Sequence, residues 1–215
     1  MPRVARDIIP DIPYHIIHRG NNRQKIFFSE GDYSYFLSLM NEAKKKHYCK
    51  IYSYVLMPNH IHFLLEPSQH SENLAKFVKL IAQKYAQHIN KSQKRTGTLW
   101  EGRFKSSPVS KDNYLLACNR YIELNPVRAK IIKDPKDYKW SSYRFKTGQN
   151  DTYLLLDRDP LYIDMGKDDA QRQANYKKWI MESIPQGEWD FIRKAANKGV
   201  VFGNIQFKEK LDNLL

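Results

Sequence analysis

Hydrophobic and polar positions along the first half of the chain follow two different periods. Residues 14–19 (YHIIHR) form a short β-prone run, and the polar stretch GNNRQK follows, which predicts a first strand and a loop. Apolar residues then recur about every 3.6 positions from Glu30 to His47, which predicts an amphipathic helix. Residues 51–57 (IYSYVLM) and 60–66 (HIHFLLE) are strand-like, and the Pro-Asn pair between them supplies turn chemistry, so a β-hairpin is predicted.

Helix and strand patterns continue after the hairpin. Residues 73–90 carry an apolar stripe at helical spacing, with lysines on the opposite side. A polar loop over residues 91–98 leads to residues 100–110 (WEGRFKSSPVS), whose alternation predicts a fourth strand, and helix signals resume at Lys111. The order strand, helix, hairpin, helix, strand predicts an α+β fold, a ferredoxin-like (RRM-like) antiparallel sheet with helices on one face.

The composition changes beyond about residue 150. Short helical patterns follow one another near residues 171–182, 188–197 and 206–214. We therefore expect two parts, a main domain over residues 1–150 and a small C-terminal helical extension over residues 151–215. The aromatic residues of the extension are expected to form its own small core rather than a surface for stacking bases; they are Tyr176, Trp179, Trp189 and Phe191.

Charge and composition narrow the class of partner. The 215 residues carry a formal net charge of +13, which points to a polyanion, with nucleic acid as the first candidate. No stretch approaches the roughly 18 continuous apolar residues of a spanning helix, and the N-terminal MPRVARDIIP lacks the apolar run of a signal peptide, so no membrane association is expected. Two cysteines, Cys49 and Cys118, are too few for a disulfide scaffold, which favours a cytoplasmic setting.

Two histidines on the second strand of the hairpin are candidate metal ligands. His60 and His62 are two residues apart, so their side chains point to one face of the strand while Ile61 and Phe63 point to the other. The apolar side can pack against the helices, and the imidazoles then stand together on the open face, close enough to bind one cation. A third ligand must come from elsewhere, because Glu66 is about 13 Å along the strand from His62. Ordinary surface or hydrogen-bonded histidines are the alternative.

A tyrosine and an amide share one face of the helix that follows the sheet. Tyr121 and Asn125 are four residues apart, so both can point into one site. A phenol that attacks a DNA phosphate forms a phosphotyrosine and frees a 3′-hydroxyl, which stores the bond energy and makes the step reversible. The alternatives are structural: Tyr121 fits a stripe of core residues, and Asn125 before Pro126 is a good helix N-cap.

Four ordered motifs resemble the single-tyrosine HUH transposases, and within them the REP-associated tyrosine transposases most closely. They are HRGNNRQ at 18–24, MPNHIHFLLEP at 57–67, GTLWEGRFKS at 97–106 and RYIELNPVRA at 120–129. The resemblance implies that Tyr121 is the nucleophile, that His60 and His62 are metal ligands, and that Mg²⁺ or Mn²⁺ is the cofactor. It also implies Asn125 as the third ligand, at a position where short insertion-sequence relatives typically have Gln.

The substrate that this resemblance implies is single-stranded DNA with a hairpin, cut and rejoined through a 5′-phosphotyrosine. Basic side chains would contact phosphates, and Trp100 or Phe104 could stack on an unpaired base. A monomer or a homodimer is expected, and the extension is expected to pack near the active site or to grip the hairpin. The predicted DNA contacts are Arg19, Arg23, Lys25, Lys94, Arg95, Trp100, Arg103, Lys105 and Arg128.

Three other functions fit parts of the pattern. An RNA-binding ferredoxin-like module would share the sheet and the basic loops, but it stacks bases on sheet aromatics and needs no histidine pair. A domesticated relative would bind DNA hairpins without transposing. A metal hydrolase that uses water would keep the histidines and would not require Tyr121, so substitution of that residue separates the cases.

Overall fold

The computed structural model describes residues 8–149, 155–182 and 187–214. Four strands are present in this part of the chain: β1 (Tyr14–Arg19), β2 (Cys49–Met57), β3 (His60–Pro67) and β4 (Lys105–Pro108). The helices of the main domain are α1 (Glu30–His47), α2 (Glu72–Ser92), α3 (Asn113–Glu123), α4 (Asn125–Arg128) and α5 (Tyr143–Lys146). Those that follow are α6 (Pro160–Ile163), α7 (Asp169–Ile180), α8 (Glu188–Lys198) and α9 (Ile205–Asp212). The predicted boundary at residue 150 lies outside the described residues.

The four strands form one antiparallel sheet in the order β2-β3-β1-β4. This order and the helices between the strands confirm the predicted ferredoxin-like α+β fold with a C-terminal helical extension. β4 is shorter than the predicted strand over residues 100–110, because Gly102 has a φ of +69° and turns the chain before Lys105. A single bridge between Gly20 and Trp100 continues the pairing beyond this turn.

One face of the sheet packs against α1 and α2, as the sequence predicts. Apolar residues of β2 and β3 that alternate with the polar ones point into this core, among them Leu56, Ile61 and Phe63. Phe63 is fully buried and its ring lies 6.2 Å from that of Phe36 on α1 and 6.3 Å from that of Phe77 on α2. Burial of this apolar face is the main favourable contribution to folding.

Helix α1 begins with a reciprocal cap. The Ser29 hydroxyl accepts a hydrogen bond from the Asp32 amide, and the Asp32 carboxylate accepts one from the Ser29 amide at 2.9 Å. This capping box satisfies two amide groups that have no partner inside the helix. Asp32 also contacts His88 of α2 at 3.0 Å, so the cap joins the two helices of this layer.

The other face of the sheet is covered by α3 and α8, which corrects the expectation that the histidines stand on an open face. Leu115, Cys118 and Ile122 of α3 pack with Leu64 of β3, and Ile192 of α8 joins the same cluster. The physical reason is that α3 and α8 carry apolar stripes of their own, which the sheet buries. The histidine face is therefore an interior surface.

The helical patterns predicted beyond residue 150 are present as α7, α8 and α9 in the described residues. Tyr176 and Trp179 lie in a small core with Tyr162, but Leu124 and Tyr143 belong to it too, so the extension shares this core with the main domain instead of forming its own. Trp189 bridges this core and the sheet cluster. Phe191 differs from the expectation, since 46% of its surface is exposed. No helix in the described part of the chain is both long and apolar enough to cross a membrane.

Candidate active site

The two histidines of β3 point to the face that α3 and α8 cover. Strand register fixes their surroundings, since Arg19 of β1 lies opposite His60 and Ile17 lies opposite His62. The two imidazole rings are 5.0 Å apart between centroids and nearly perpendicular. His62 is only 3% exposed, whereas His60 is half-buried. Alternation along the strand thus brings both rings together, as the sequence predicts.

A hydrogen bond from the β-turn decides which nitrogen of His60 is free. Asn59 donates from its Nδ2 to the carbonyl oxygen of Arg23 at 3.1 Å, so its Oδ1 is the acceptor that faces Nδ1 of His60 at 2.6 Å. An amide oxygen can only accept, and the proton of the imidazole therefore lies on Nδ1. The lone pair of Nε2 is left for a cation or another donor.

His15 of β1 is a third histidine in this cluster, and the sequence reasoning did not identify it. Its Nε2 lies 2.8 Å from Nδ1 of His62, and the two rings stack at 5.1 Å. Strand period could have found it, because His15, Ile17 and Arg19 alternate along β1 onto one face. What the sequence alone did not supply is the pairing of β1 with β3, which brings that face onto the histidine pair.

Burial keeps the three imidazoles neutral. It lowers the pKa of His15 to about 3 and that of His60 to about 4. The charge of Arg19 lowers the pKa of His60 further, and a hydrogen bond to the Asn125 side chain partly offsets this. Burial also holds the pKa of His62 well below its usual value, with the neighbouring histidines and Arg128 adding to the effect. Neutral imidazoles are the form that binds metal ions.

Tyr121 of α3 faces the histidine cluster. Its ring centroid lies 5.7 Å from that of His15 and 5.9 Å from that of His62. Although only 4% of the residue is exposed, its hydroxyl has no hydrogen-bond partner in the part of the chain that the structure describes.

Two other buried tyrosines differ in this respect. The hydroxyl of Tyr85 donates to the carbonyl oxygen of Ile26 at 2.7 Å, and that of Tyr138 donates to the carbonyl oxygen of Leu56 at 2.6 Å. A tyrosine that serves packing alone usually finds such a partner. The hydroxyls of the buried Tyr54 and Tyr143 have no such partner among the described residues either, so what distinguishes Tyr121 is its position beside His15 and His62.

Asn125 lies where α3 gives way to α4. The backbone breaks at Leu124, and no side chain caps α4, so the alternative role of Asn125 as an N-cap is not realised. Its side chain instead reaches His60, and its Nδ2 is buried without a partner among the described residues. The carboxamide is thus held at the histidine pair by its position on the helix rather than by a cap.

The donor set at this point fits a divalent cation with nitrogen and oxygen ligands. The described residues contain no group of three or more His, Cys, Asp or Glu side chains arranged to hold a metal ion. Glu66, which shares the strand face, forms ion pairs with Lys50 at 3.0 Å and with Lys111 at 2.7 Å. Glu66 is thus engaged by lysines, and the Asn125 side chain beside His60 is the candidate for a third ligand.

Arg128 and Trp189 cover the outer side of the phenol. The Arg128 guanidinium lies 4.4 Å from the ring centroid of Tyr121 and 4.6 Å from that of Trp189. The two rings themselves are 5.6 Å apart. Since Trp189 belongs to α8, the extension packs directly on the predicted nucleophile.

A buried polar network ties the tyrosine helix to the rest of the extension. Glu123 is fully buried and accepts hydrogen bonds from Ser142 at 2.5 Å and from Tyr176 at 2.7 Å. Lys146 lies 3.6 Å from both Glu123 and Asp159. Burial raises the pKa of Glu123, and the charge of Lys146 opposes that shift. Because Glu123 lies between Tyr121 and Asn125 in sequence, the network restricts the rotation of α3.

Basic loops converge at the end of the sheet where His60 begins. The amide of Gly20 donates to the carbonyl oxygen of Asn59 at 2.9 Å, and the amide of Asn21 donates to that of Leu99 at 2.9 Å. A Cβ at Gly20 would lie 2.4 Å from the Gln24 carbonyl oxygen, so only glycine fits this junction. The side chains on these loops that were predicted to bind DNA are exposed or half-buried: Arg19, Arg23, Lys25, Lys94, Arg95, Arg103 and Lys105.

Trp100 differs from its predicted role. It is 7% exposed, its ring stacks on His18 at 4.1 Å, and its indole N–H donates to the carbonyl oxygen of Ala82 at 2.9 Å. An aromatic side chain with both its ring and its polar atom engaged is a packing residue. It therefore offers no surface to an unpaired base. Phe104 remains half-buried beside it.

The chain is similar to known proteins in sequence and in fold. A Haemophilus influenzae protein whose name assigns it to the REP-associated tyrosine transposases is 24% identical over 126 residues, which cover 51% of this chain and 72% of that protein. A solved structure of a REP-associated tyrosine transposase bound to a REP hairpin has the same fold, with a TM-score of 0.60 and 16% identity over 74% of this chain and 93% of that one.

A family model adds the decisive match. The model described as IS200-like transposase covers residues 9–125, which include β1 to β4 and the segment from Tyr121 to Asn125. The resemblance to single-tyrosine transposases of the REP-associated type is thereby confirmed. Since the match spans more than half of the 215 residues, the chain belongs to the IS200-like transposases, a family of DNA-binding, DNA-processing enzymes.

Proposed function

We propose that this protein cuts and rejoins hairpin-containing single-stranded DNA through a 5′-phosphotyrosine at Tyr121. The observation that carries the proposal is the position of the Tyr121 ring, which lies within 6 Å of two neutral imidazoles. A phenol at such a place can become a nucleophile when it loses its proton.

The proposed reaction conserves the energy of the phosphodiester. The Tyr121 oxygen forms a bond to phosphorus as the bond from phosphorus to the 3′ oxygen breaks. The phenol loses its proton, and the departing 3′ oxygen takes one up. Attack of a different 3′-hydroxyl on the phosphotyrosine rejoins the strand without ATP. If water attacked the DNA in place of the phenol, no such intermediate would form and the strand could not be rejoined in this way.

His60, His62 and Asn125 would hold a divalent metal ion. Two imidazoles favour Mn²⁺ over Mg²⁺ on ligand softness, and Mg²⁺ could serve by abundance. Such an ion supplies positive charge to the phosphate oxygens as negative charge develops on them. The protein orients these ligands, because strand alternation places both histidines on one face and α4 places the Asn125 amide beside His60.

The DNA would approach along the basic end of the sheet. Arg19 and Lys105 point to the same sheet face as His60, since Arg19 pairs with His60 and Lys105 pairs with Ile17 in the strand register. Arg128 lies over the phenol and is suited to the phosphate that is attacked. The solved relative is bound to a REP hairpin, and we propose that this chain also binds a DNA hairpin.

We further propose that one chain suffices for cleavage, with residues 1–150 as the catalytic domain and residues 151–215 as an extension that packs at the site. Both the histidine pair and Tyr121 come from the same chain, at ring distances that need no second copy. The contact of Trp189 with Tyr121 supports the extension as a cover of the active site.

The test is formation of a protein–DNA adduct that survives denaturation. Labelled single-stranded hairpins are incubated with Mn²⁺ and the wild type, Tyr121→Phe, or Tyr114→Phe as a matched control on the same helix. The proposal predicts an adduct for the wild type and the control and none for Tyr121→Phe. Hairpin binding without adduct or nick would instead identify a domesticated binder, and nicking that persists in Tyr121→Phe would identify a hydrolase that uses water.

A further inference from the structure

We propose that His15 is a positioning residue, which holds His62 in the tautomer whose Nε2 can bind the metal ion. The inference rests on the proposed function, because it assigns a partner to one of the proposed ligands. It starts from the contact between Nε2 of His15 and Nδ1 of His62 at 2.8 Å.

The contact leaves His62 with one usable nitrogen. His15 is 1% exposed and His62 is 3% exposed, so water does not compete for the bond between them. The rings stack at 5.1 Å with an interplanar angle of 23°, which limits rotation of either imidazole. His15 reaches His62 diagonally from β1, because its direct partner in the register is Leu64. Nδ1 of His62 is therefore engaged, and Nε2 is the atom left for a cation.

Only one of the two possible proton arrangements permits metal binding. If His15 donated to His62, the remaining proton of neutral His62 would sit on Nε2 and block the lone pair. If His62 donates from Nδ1 to His15, the lone pair of Nε2 is free. Asn59 imposes this second arrangement on His60, because its Oδ1 can only accept. The two ligands would thus have the same tautomer, one set by an amide and the other by a histidine.

The geometry makes His15 a partner of a metal ligand rather than a third metal ligand itself. Its Nε2 is engaged by His62, and its ring meets Tyr121 edge to face at 5.7 Å. Among the described residues, the three histidines do not form a set that could hold a metal ion. Metal-bound histidines generally donate their other N–H to such an outer partner, and loss of that partner weakens metal binding about 10- to 100-fold.

The first experiment measures Mn²⁺ affinity of the DNA-free protein by calorimetry, so that no step of the DNA reaction enters the result. His15→Phe keeps a flat ring and removes the acceptor, whereas His15→Gln keeps an oxygen that can accept from His62. We expect His15→Phe to weaken Mn²⁺ binding about 10- to 100-fold, and His15→Gln to bind within about threefold of the wild type. His18→Phe, on the opposite face of β1, is the matched control and should leave the affinity unchanged.

Two outcomes would overturn the assignment while the metal site stands. Wild-type affinity in His15→Phe would show that His62 needs no partner, and equal losses in His15→Gln and His15→Phe would show that His15 is itself a ligand. If instead the wild type bound no Mn²⁺, or His62→Ala bound it as tightly as the wild type, the proposed metal site would fail, and this inference with it.

A second measurement uses only the wild-type protein, so it does not depend on whether a variant folds. Long-range ¹H–¹⁵N correlation spectra of metal-free wild type with ¹⁵N-labelled histidine report the tautomer of each ring. The proton of His62 is expected on Nδ1, as in His60. A proton on Nε2 of His62 would contradict the role of His15 even if every variant at position 15 misfolded.

Discussion

The two faces of the same sheet differ in their polar residues, although alternate residues of the same strands build both. On the α1 and α2 side, Ile61 and Phe63 meet other apolar side chains in a closed core. On the α3 and α8 side, His60 and His62 meet His15, Tyr121 and Asn125. Side chains one position apart on β3 therefore belong to different environments.

This difference between the faces shows where the protein carries buried polar groups that lower the stability of the fold. Burial of neutral imidazoles contributes less to folding than apolar packing of the same volume would. Both faces bury apolar side chains, and the second face also carries the groups that suit chemistry. Substitutions on the two faces should accordingly have separable effects on activity and on the free energy of unfolding.

After the complete loss expected for Tyr121→Phe, the next largest effect on activity is expected from His60→Ala. Loss of a proposed ligand should exceed the cost of losing an outer partner, so adduct formation should fall at least about 100-fold. Because His60 is half-buried, the melting temperature should change little. Gel assays of adduct yield over time, with hairpin affinity measured in the absence of metal, separate catalysis from binding. A rate within threefold of wild type would exclude His60 as a ligand.

The neighbouring substitution Ile61→Ala should give the opposite result. Ile61 is 1% exposed in the α1 and α2 core, and its truncation should lower the free energy of unfolding by about 2–5 kcal/mol. Urea denaturation measures this loss. Below its melting temperature, the variant should still form the adduct at close to the wild-type rate. Selective loss of adduct formation without loss of stability would break the distinction between the two faces.

A smaller effect is expected from Trp189→Ala, which removes the cover that α8 places over Tyr121. The phenol is 4% exposed, so a phosphate reaches it more easily once the indole is gone. We expect adduct formation to rise a few-fold, on the order of 1 kcal/mol in the barrier. Trp179→Ala is the control, because Trp179 packs on Tyr176 and Arg120 instead. A slower Trp189→Ala reaction would mean that the indole holds the DNA.

The smallest effect concerns the cap of α1. Asp32→Asn should cost about 1 kcal/mol at pH 7 with no change in adduct formation. Although burial opposes ionisation, hydrogen bonds from Phe28, His88 and Ser29 leave the pKa of Asp32 lowered from 3.8. A lowered carboxyl pKa stabilises the folded state above the unfolded pKa, and this stabilisation is lost as the pH falls through the folded pKa.

Denaturation of Asp32→Asn and wild type at pH 7 and at pH 3 checks this prediction. The difference in the free energy of unfolding between the two proteins should shrink at the lower pH. A difference that is the same at both pH values would show that the charge of Asp32 does not contribute to the stability of the cap.

The sequence was sufficient for those features that depend on local periodicity. Strand alternation predicted that His60 and His62 share a face. Helical spacing predicted Tyr121 and Asn125 on one helix, whereas α3 ends at Glu123 and Asn125 begins α4. His15 required knowledge of which strand pairs with β3, which is a long-range property. The burial of Trp100 and the packing of Trp189 on Tyr121 likewise depend on contacts between distant segments, and no local pattern encodes them.

The most direct test of the account identifies the residue that carries the DNA. Wild-type protein is allowed to react with a labelled hairpin strand and Mn²⁺, the adduct is digested with nuclease and protease, and the modified peptide is sequenced by mass spectrometry. The account predicts a nucleotide joined through its 5′ phosphate to Tyr121 within NRYIELNPVR. Modification of any other tyrosine, or a phosphate joined through its 3′ oxygen, would contradict it.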